Sequence, residues 1–283
     1  MNQTIKILCT LGPATLSPKM IRKLDKMGVD IFRINLSHTP MEDVEKIIEK
    51  IIQATEKPLC LDLEGAQIRS GYMKNNSVYF EDGSLVSVHK NTIVGDTQNI
   101  CLTPAFALDH LAPGDLISID FDTLLLQVYE RQGDKLIAKV VCGGLVGSNK
   151  AVTVDKDIAL PACSEKDIKA IKIGLQHGVP YVALSFASHR RDVDEVKSIV
   201  GEKMQIIAKI ESKEGLQNID QIVEASDAIL LDRGDMSRQL SIEILPFLQK
   251  KVIAIANQQR KPVYVATNLL ESMVDKRTPT RAE

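Results

Sequence analysis

Five polar residues interrupt apolar, β-branched runs of this chain, and their spacing gives them shared faces. Side chains alternate along a strand, so Arg33, Asn35 and Ser37 in DIFRINLS point one way, as do Lys209 and Glu211 in QIIAKIE. Asp235 directly follows a further apolar run, AILLDRG. Carboxylates from two neighbouring strands, completed by water and substrate oxygens, suit Mg²⁺ or Mn²⁺. A lysine and an arginine beside them would neutralise a phosphate or an enolate as it gains charge. One charge at a strand end is usually a solvated ion pair. Five polar groups within apolar strands are a different matter, because unpaired charge is costly to bury. His38, in the loop after its strand, is either a phosphate contact or idle. His89, His110, His177 and His189 share no ligand spacing and read as structural or surface residues. Arg233-Gly234-Asp235 closes a buried strand and is not an adhesion motif.

The runs that must position these groups are 5–11, 30–37, 58–64, 181–186, 205–211, 228–234 and 262–267. Continuous Val/Ile/Leu character is what a parallel sheet covered on both faces requires. Amphipathic helical stretches lie between them at Ser17–Met27, Met41–Thr55, Ser164–His177, Arg190–Val200, Lys213–Ala225 and Ile242–Gln259. Ser164 followed by Asp167 predicts an N-cap with an acidic first turn. Gly28 and Gly178 stand where helices must stop. This alternation predicts an α/β chain, either a (β/α) TIM-type barrel or a doubly wound sheet, and in a barrel the C-terminal strand ends form the active site. Seven parallel strands fall short of the eight of a closed barrel, so an incomplete barrel is expected. Residues 71–156 break the rhythm with turn signals (Asn75-Asn76, Asp82-Gly83, Pro113-Gly114, Gly143-Gly144) between alternating segments. They predict a small inserted β domain, leaving 1–70 and 157–283 to the barrel.

Composition narrows the classes. Lys plus Arg number 35 against 37 Asp plus Glu, a formal net charge of −2, with 44% apolar and 25% charged residues. That balance disfavours a nucleic-acid binder or a polybasic membrane-surface protein. No apolar run approaches the roughly 18 residues of a transmembrane helix, and no secretory leader is apparent. The five cysteines are scattered without a CxxC pair, as expected of free thiols in a reducing, cytoplasmic setting. The residues alone predict a metal-assisted barrel enzyme acting on a small phosphorylated or carboxylate substrate.

At these same residues the sequence resembles the pyruvate kinase family along nearly its whole length. TIKILCTLGPAT and FRINLSH resemble the family's first two strands, and IIAKIES the strand bearing its lysine and metal-binding glutamate. LPACSEKD resembles the return into the barrel after the family's inserted β domain, LDRGDM the loop with the second metal ligand, and VYVATNLLESM and TPTRAE the segment that follows it. The resemblance implies phosphoryl transfer between phosphoenolpyruvate and ADP, giving pyruvate and ATP, with Mg²⁺ (or Mn²⁺) and usually K⁺. It implies that Glu211 and Asp235 bind the divalent metal, that Lys209 stabilises the transferring group and the enolate, and that Arg33 grips the phosphate. Backbone amides of Gly234 and Asp235 would hold the substrate carboxylate, with Thr267 completing that pocket and assisting proton delivery. Asn35, Ser37, Asp62 and the Leu63 carbonyl would hold K⁺, while His38, Arg69 and Lys150 would meet the nucleotide.

Three positions depart from the family pattern. Glu64 replaces a lysine, Ser237 replaces a glycine, and Gln67 stands where the family has glutamate with a K⁺ requirement and lysine without it. These departures keep two other readings in view: a weak or inactive paralogue that binds phosphoenolpyruvate or a partner kinase chain, and another Mg²⁺–enolate enzyme acting on pyruvate. Unpaired edges on the first and seventh strands would need covering, so a homo-oligomer or a partner chain is expected there.

Overall fold

The computed structural model describes residues 5–65, 67–120, 123–156, 158–237, 240–266 and 271–277. The chain forms two compact units, Met1–Ala66 with Pro161–Glu283, and Gln67–Leu160. The first unit is built on β1 (Leu8–Leu11), β2 (Ile31–Asn35), β3 (Leu59–Asp62), β4 (Tyr181–Leu184), β5 (Gln205–Ile210), β6 (Ala228–Asp232) and β7 (Val263–Ala266). These seven strands hydrogen-bond in sequence order and in parallel, an incomplete TIM-type barrel. Among the described residues β1 and β7 are its two edges.

Alternation divides each strand between two cores. Ile31, Cys60, Ala183, Ile207, Ala228 and Leu230 form the inner cluster, with Leu8, Tyr181, Tyr264 and Ala266 packed against it. The alternate residues of the same strands, such as Ile34, Leu61, Val182, Ile206, Ala208 and Ile229, join the larger core beneath the helices. That outer layer comprises α1 (Pro18–Lys26), α2 (Met41–Ile52), α3 (Glu165–Gln176), α4 (Arg190–Val200), α5 (Lys213–Gln217), α6 (Ile219–Ala225), α7 (Arg233–Met236) and α8 (Leu245–Gln258). Ile21, Val44, Ile48, Ile171, Val196 and Ile222 supply its buried stripe. Among the described residues no helix is long and apolar enough to cross a membrane.

Several boundaries differ from the periodic pattern. The stretch 213–225 is two helices divided at Asn218, and Gly215 lies so close to the Ala187 carbonyl that an added Cβ would stand 2.6 Å from it. Pro246 lies at the start of α8, where a missing N–H costs nothing, and a short 3₁₀ turn, Ile242–Ile244, precedes it. β2 ends at Asn35 because the chain turns there into a 3₁₀ segment, Leu36–His38.

The second unit is a mainly antiparallel seven-stranded sheet with an added two-stranded ladder. Its longest hairpin, Leu124–Gln132 with Lys135–Cys142, turns at Gly133 (φ 60°). Phe80, Val86, Ile100, Ile117, Leu126 and Leu136 fill its core.

α3 anchors the exit loop of β3. Ser164 caps the helix by accepting from the Asp167 N–H, and the fully buried Asp167 carboxylate accepts from Ser164 N–H and Oγ. The same carboxylate accepts from Glu64 N–H at 2.8 Å and Gly65 N–H at 3.0 Å. Asp167→Ala should therefore cost more than Ser164→Ala: about 3 kcal/mol, set by stranded buried amides, against about 1 kcal/mol for a lost cap. Urea unfolding of the two variants measures the difference, and equal losses would show that the loop does not depend on Asp167.

Candidate functional site

The polar groups flagged by spacing meet at the C-terminal ends of β2, β3 and β5. Asp62 closes β3, only 2% exposed, and divides its carboxylate between two cations. Arg33 Nη1 stands 3.3 Å from Asp62 Oδ2, and Lys209 Nζ stands 3.1 Å from Oδ1. Arg33 is steadied from β1, its Nε donating to Thr10 Oγ1 at 2.7 Å. Lys209 also lies 2.9 Å from Glu211 Oε1 and donates to Ser185 Oγ at 2.9 Å. The serine hydroxyl donates in turn to the Leu63 carbonyl at 2.7 Å. Register accounts for the meeting: Asn35 pairs with Asp62, Asp62 with Ala183, and Ala183 with Ile207, two residues before Lys209.

Glu211 follows β5 and is 1% exposed; its Oε2 accepts from the Phe186 N–H at 2.7 Å. Phe186 holds φ at 55°, a left-handed conformation costing a bulky residue about 1–3 kcal/mol, and this hydrogen bond is what the strained backbone supplies. Oxygens of Glu211, Asp232 and Asp235 all lie within 4.8 Å of one another, from the ends of β5 and β6 and the first turn of α7. Burial, and then the charge of Asp235, push the Glu211 carboxyl up to about 7 against the pull of Lys209. Burial alone would lower the Lys209 ammonium, but Glu211 and Asp62 together outweigh it and hold the pKa above its ordinary value. One layer below, burial and the charge of Asp62 raise the Cys60 thiol, leaving it neutral and no nucleophile.

The donor set fits a hard divalent cation. It consists of carboxylate oxygens without thiolate or imidazole, and buried Glu211 Oε1 accepts no hydrogen bond despite its contact with Lys209. Mg²⁺ or Mn²⁺ would be held by Glu211 and Asp235.

Ser37 does not share the strand face with Arg33 and Asn35. The strand has ended, Ser37 is exposed, and its N–H donates to Asn35 Oδ1 at 2.9 Å. His38 is exposed in the same 3₁₀ turn. Gly234 and Asp235 lie in α7, where Ser237 Oγ donates to the Gly234 carbonyl at 2.7 Å. Glu64 is paired with Lys166 Nζ at 3.0 Å, and this ammonium also donates to the Leu36 carbonyl, tying the exits of β2 and β3 together. Arg69 and Lys150 belong to the second unit. There Arg69 donates to Gln67 Oε1 and the Asn149 carbonyl, while Lys150 pairs with Asp120 at 3.1 Å. Thr267 lies outside the described residues. Of the other histidines, His177 is a surface partner of Glu45 at 3.1 Å and His189 of Glu214 at 3.3 Å. Ser185, Thr10 and Asp232 are site groups that spacing did not single out, and Asp62 was named only through the family resemblance. Strand parity identifies Asp232 from Ala228 and Leu230, and Ser185 from Tyr181 and Ala183.

Residues 2–283 match the family described as pyruvate kinase, barrel domain. The chain belongs to the pyruvate kinase family. It is 37% identical over 292 residues to the pyruvate kinase of Corynebacterium efficiens and 37% identical over 292 residues to that of Mycobacterium intracellulare. In both cases the match covers 100% of this chain and 62% of the relative. The pyruvate kinase of Thermotoga maritima is 33% identical over 290 residues, covering 99% of this chain and 62% of that protein. The chain thus spans about three-fifths of the length of these relatives.

The raised Glu211 pKa fixes the sign of a pH effect. A carboxyl lifted from 4.5 to about 7 on folding contributes stability below about pH 4.5 that is lost as pH rises through 7. Glu211→Gln keeps the neutral form at every pH. In chelator-treated buffer the variant should match the parent near pH 5 and become the more stable of the two by pH 8. A stability difference that does not change with pH, measured by thermal unfolding, would contradict the buried charge penalty.

Proposed function

We propose that the barrel unit carries the site for phosphoryl transfer between phosphoenolpyruvate and ADP. The observation that supports this most directly is the buried Lys209 ammonium, flanked by Asp62, Glu211 and Ser185 and facing a carboxylate trio at the strand ends. A fixed ammonium beside hard-cation ligands suits charge that develops on phosphoryl and enolate oxygens.

In this reading Glu211 and Asp235 hold Mg²⁺ or Mn²⁺, which when bound supplies Lewis-acid charge to substrate oxygens. Lys209 stabilises the transferring phosphoryl group and the enolate oxygen from which it departs. Arg33, aimed by Thr10 and Asp62, grips the phosphate. The amides of Gly234 and Asp235 orient the substrate carboxylate, and Thr267 assists delivery of a proton to the enolate carbon, completing pyruvate as ADP becomes ATP. Asn35, Ser37, Asp62 and the Leu63 carbonyl form the K⁺ site, and His38 meets the nucleotide.

The Glu64–Lys166 pair favours the kinase reading over an inactive paralogue. The charge reversal at Glu64 is answered 3.0 Å away, so an anionic substrate does not meet an uncompensated carboxylate there.

Formation of ATP from phosphoenolpyruvate and ADP with Mg²⁺, assayed with and without K⁺, tests the proposal. Lys209→Ala should lower kcat by about 10²–10³, the scale of one lost transition-state donor. Turnover indifferent to Lys209, or absent although phosphoenolpyruvate binds in a Mg²⁺-dependent way, would move the assignment to a binding role.

A further inference from the structure

The carboxylate trio contains one member that the family resemblance leaves unassigned. Asp232 is the last residue of β6, pairs in register with Ala266 and is 7% exposed. It shares strand parity with Ala228 and Leu230, both in the inner cluster, so it belongs to the face that carries Lys209. Its carboxylate oxygen lies within 4.8 Å of those of Glu211 and Asp235.

We propose that Asp232 is a third protein ligand to the divalent cation, so that the site holds its metal through three carboxylates and not two. The inference rests on the reading of this site as a cation site and goes beyond it by adding a residue and changing the coordination.

Geometry and charge point the same way. Oxygens around one Mg²⁺ or Mn²⁺ stand roughly 2.0–2.2 Å from the ion, hence about 3 Å apart when adjacent and about 4 Å when opposite. Three oxygens within 4.8 Å need only small side-chain adjustments to reach that span. Among the described residues, the carboxylates of Asp62, Glu211, Asp232 and Asp235 gather at these strand ends with Arg33 and Lys209, and a divalent cation would add positive charge where the trio is closest. Independently of Asp232, buried Glu211 Oε1 makes a 2.9 Å ion pair with Lys209 outside hydrogen-bond geometry, and so keeps an acceptor direction that a metal would satisfy. The alternative is that Asp232 serves only as a charge partner for Lys209, on whose pKa it acts.

Three protein oxygens in an octahedral site leave about three positions for water and substrate, against about four for a two-carboxylate site. Mn²⁺ titration of the full chain, followed by electron paramagnetic resonance and by water proton relaxation without substrate, reads both affinity and bound water. Asp232→Asn should weaken Mn²⁺ binding about tenfold or more and add about one exchangeable water to the bound ion. Asp232→Ser provides the same readout if the asparagine variant does not fold, as judged by circular dichroism. Wild-type affinity and water count in the Asp232 variants, with binding lost in Glu211→Gln and Asp235→Asn, would overturn the proposal and leave Asp232 as a charge partner. Mn²⁺ binding unaffected by all of these substitutions would instead remove the cation site itself, and this proposal with it.

Discussion

The sharing of Asp62 between Arg33 and Lys209 is the constraint on which the rest of the site depends. An exposed pair of this kind contributes little, but a carboxylate at 2% exposure cannot lose either cation without leaving charge in a low-dielectric interior. The arrangement binds three strand ends that are not all neighbours: β2 through Arg33, β3 through Asp62 and β5 through Lys209. β4 lies between β3 and β5, and it takes part through Ser185, whose hydroxyl stands between the lysine and the Leu63 carbonyl. The parallel register is thus secured by charge at one end and by apolar layers along its length.

Both sides of this polar layer are controlled. Below it, Cys60, Ala183, Ile207 and Leu230 form an apolar floor that keeps the ammonium and the carboxylates interacting strongly. On the loop side, two consecutive residues of α3 do different work. Asp167 takes the amides of Glu64 and Gly65, while Lys166 reaches the Glu64 carboxylate and the Leu36 carbonyl. Gly65, at φ 73°, passes Ser185 so closely that an added Cβ would lie 3.2 Å from the serine Cβ. The exit of β3 is therefore placed by hydrogen bonds from one side and by contact from the other, and Asp62 and Leu63 inherit that position.

Much of this arrangement was legible because strand parity is a strong signal. Lys209 and Glu211 had to share a face once QIIAKIE was read as a strand, and the apolar runs gave the seven parallel strands in order. Ser37 escaped the same logic because Asn35 turns its side chain onto the Ser37 amide and ends the strand. The interruption at Asn218 is invisible in the periodicity, since Ile219, Ile222 and Val223 continue the apolar pattern that Leu216 begins. Register between strands distant in sequence, which brings Asp62 to Lys209, has no local signal at all. The sheet of the second unit is similar: Leu85–His89 pairs in parallel with Asn99–Thr103 inside an otherwise antiparallel array, and no turn motif announces that.

The charge balance of the site also bears on the order in which ligands enter it. Before a cation arrives, Glu211, Asp232 and Asp235 present clustered negative charge, and burial makes that charge costly enough to lift the Glu211 pKa to about 7. Phosphoenolpyruvate is itself an anion, and Arg33 and Lys209 are already engaged with Asp62 and Glu211. An anionic substrate would have to draw those two cations away from buried partners while facing the trio. With a divalent cation among the carboxylates, Glu211 would no longer rely on Lys209 and the repulsion would fall, which would leave the lysine and arginine able to turn toward the substrate phosphate. On the function proposed for the site, the electrostatics therefore favour cation before substrate. The mutual pairing of Arg33, Asp62, Lys209 and Glu211 keeps these groups in place until then.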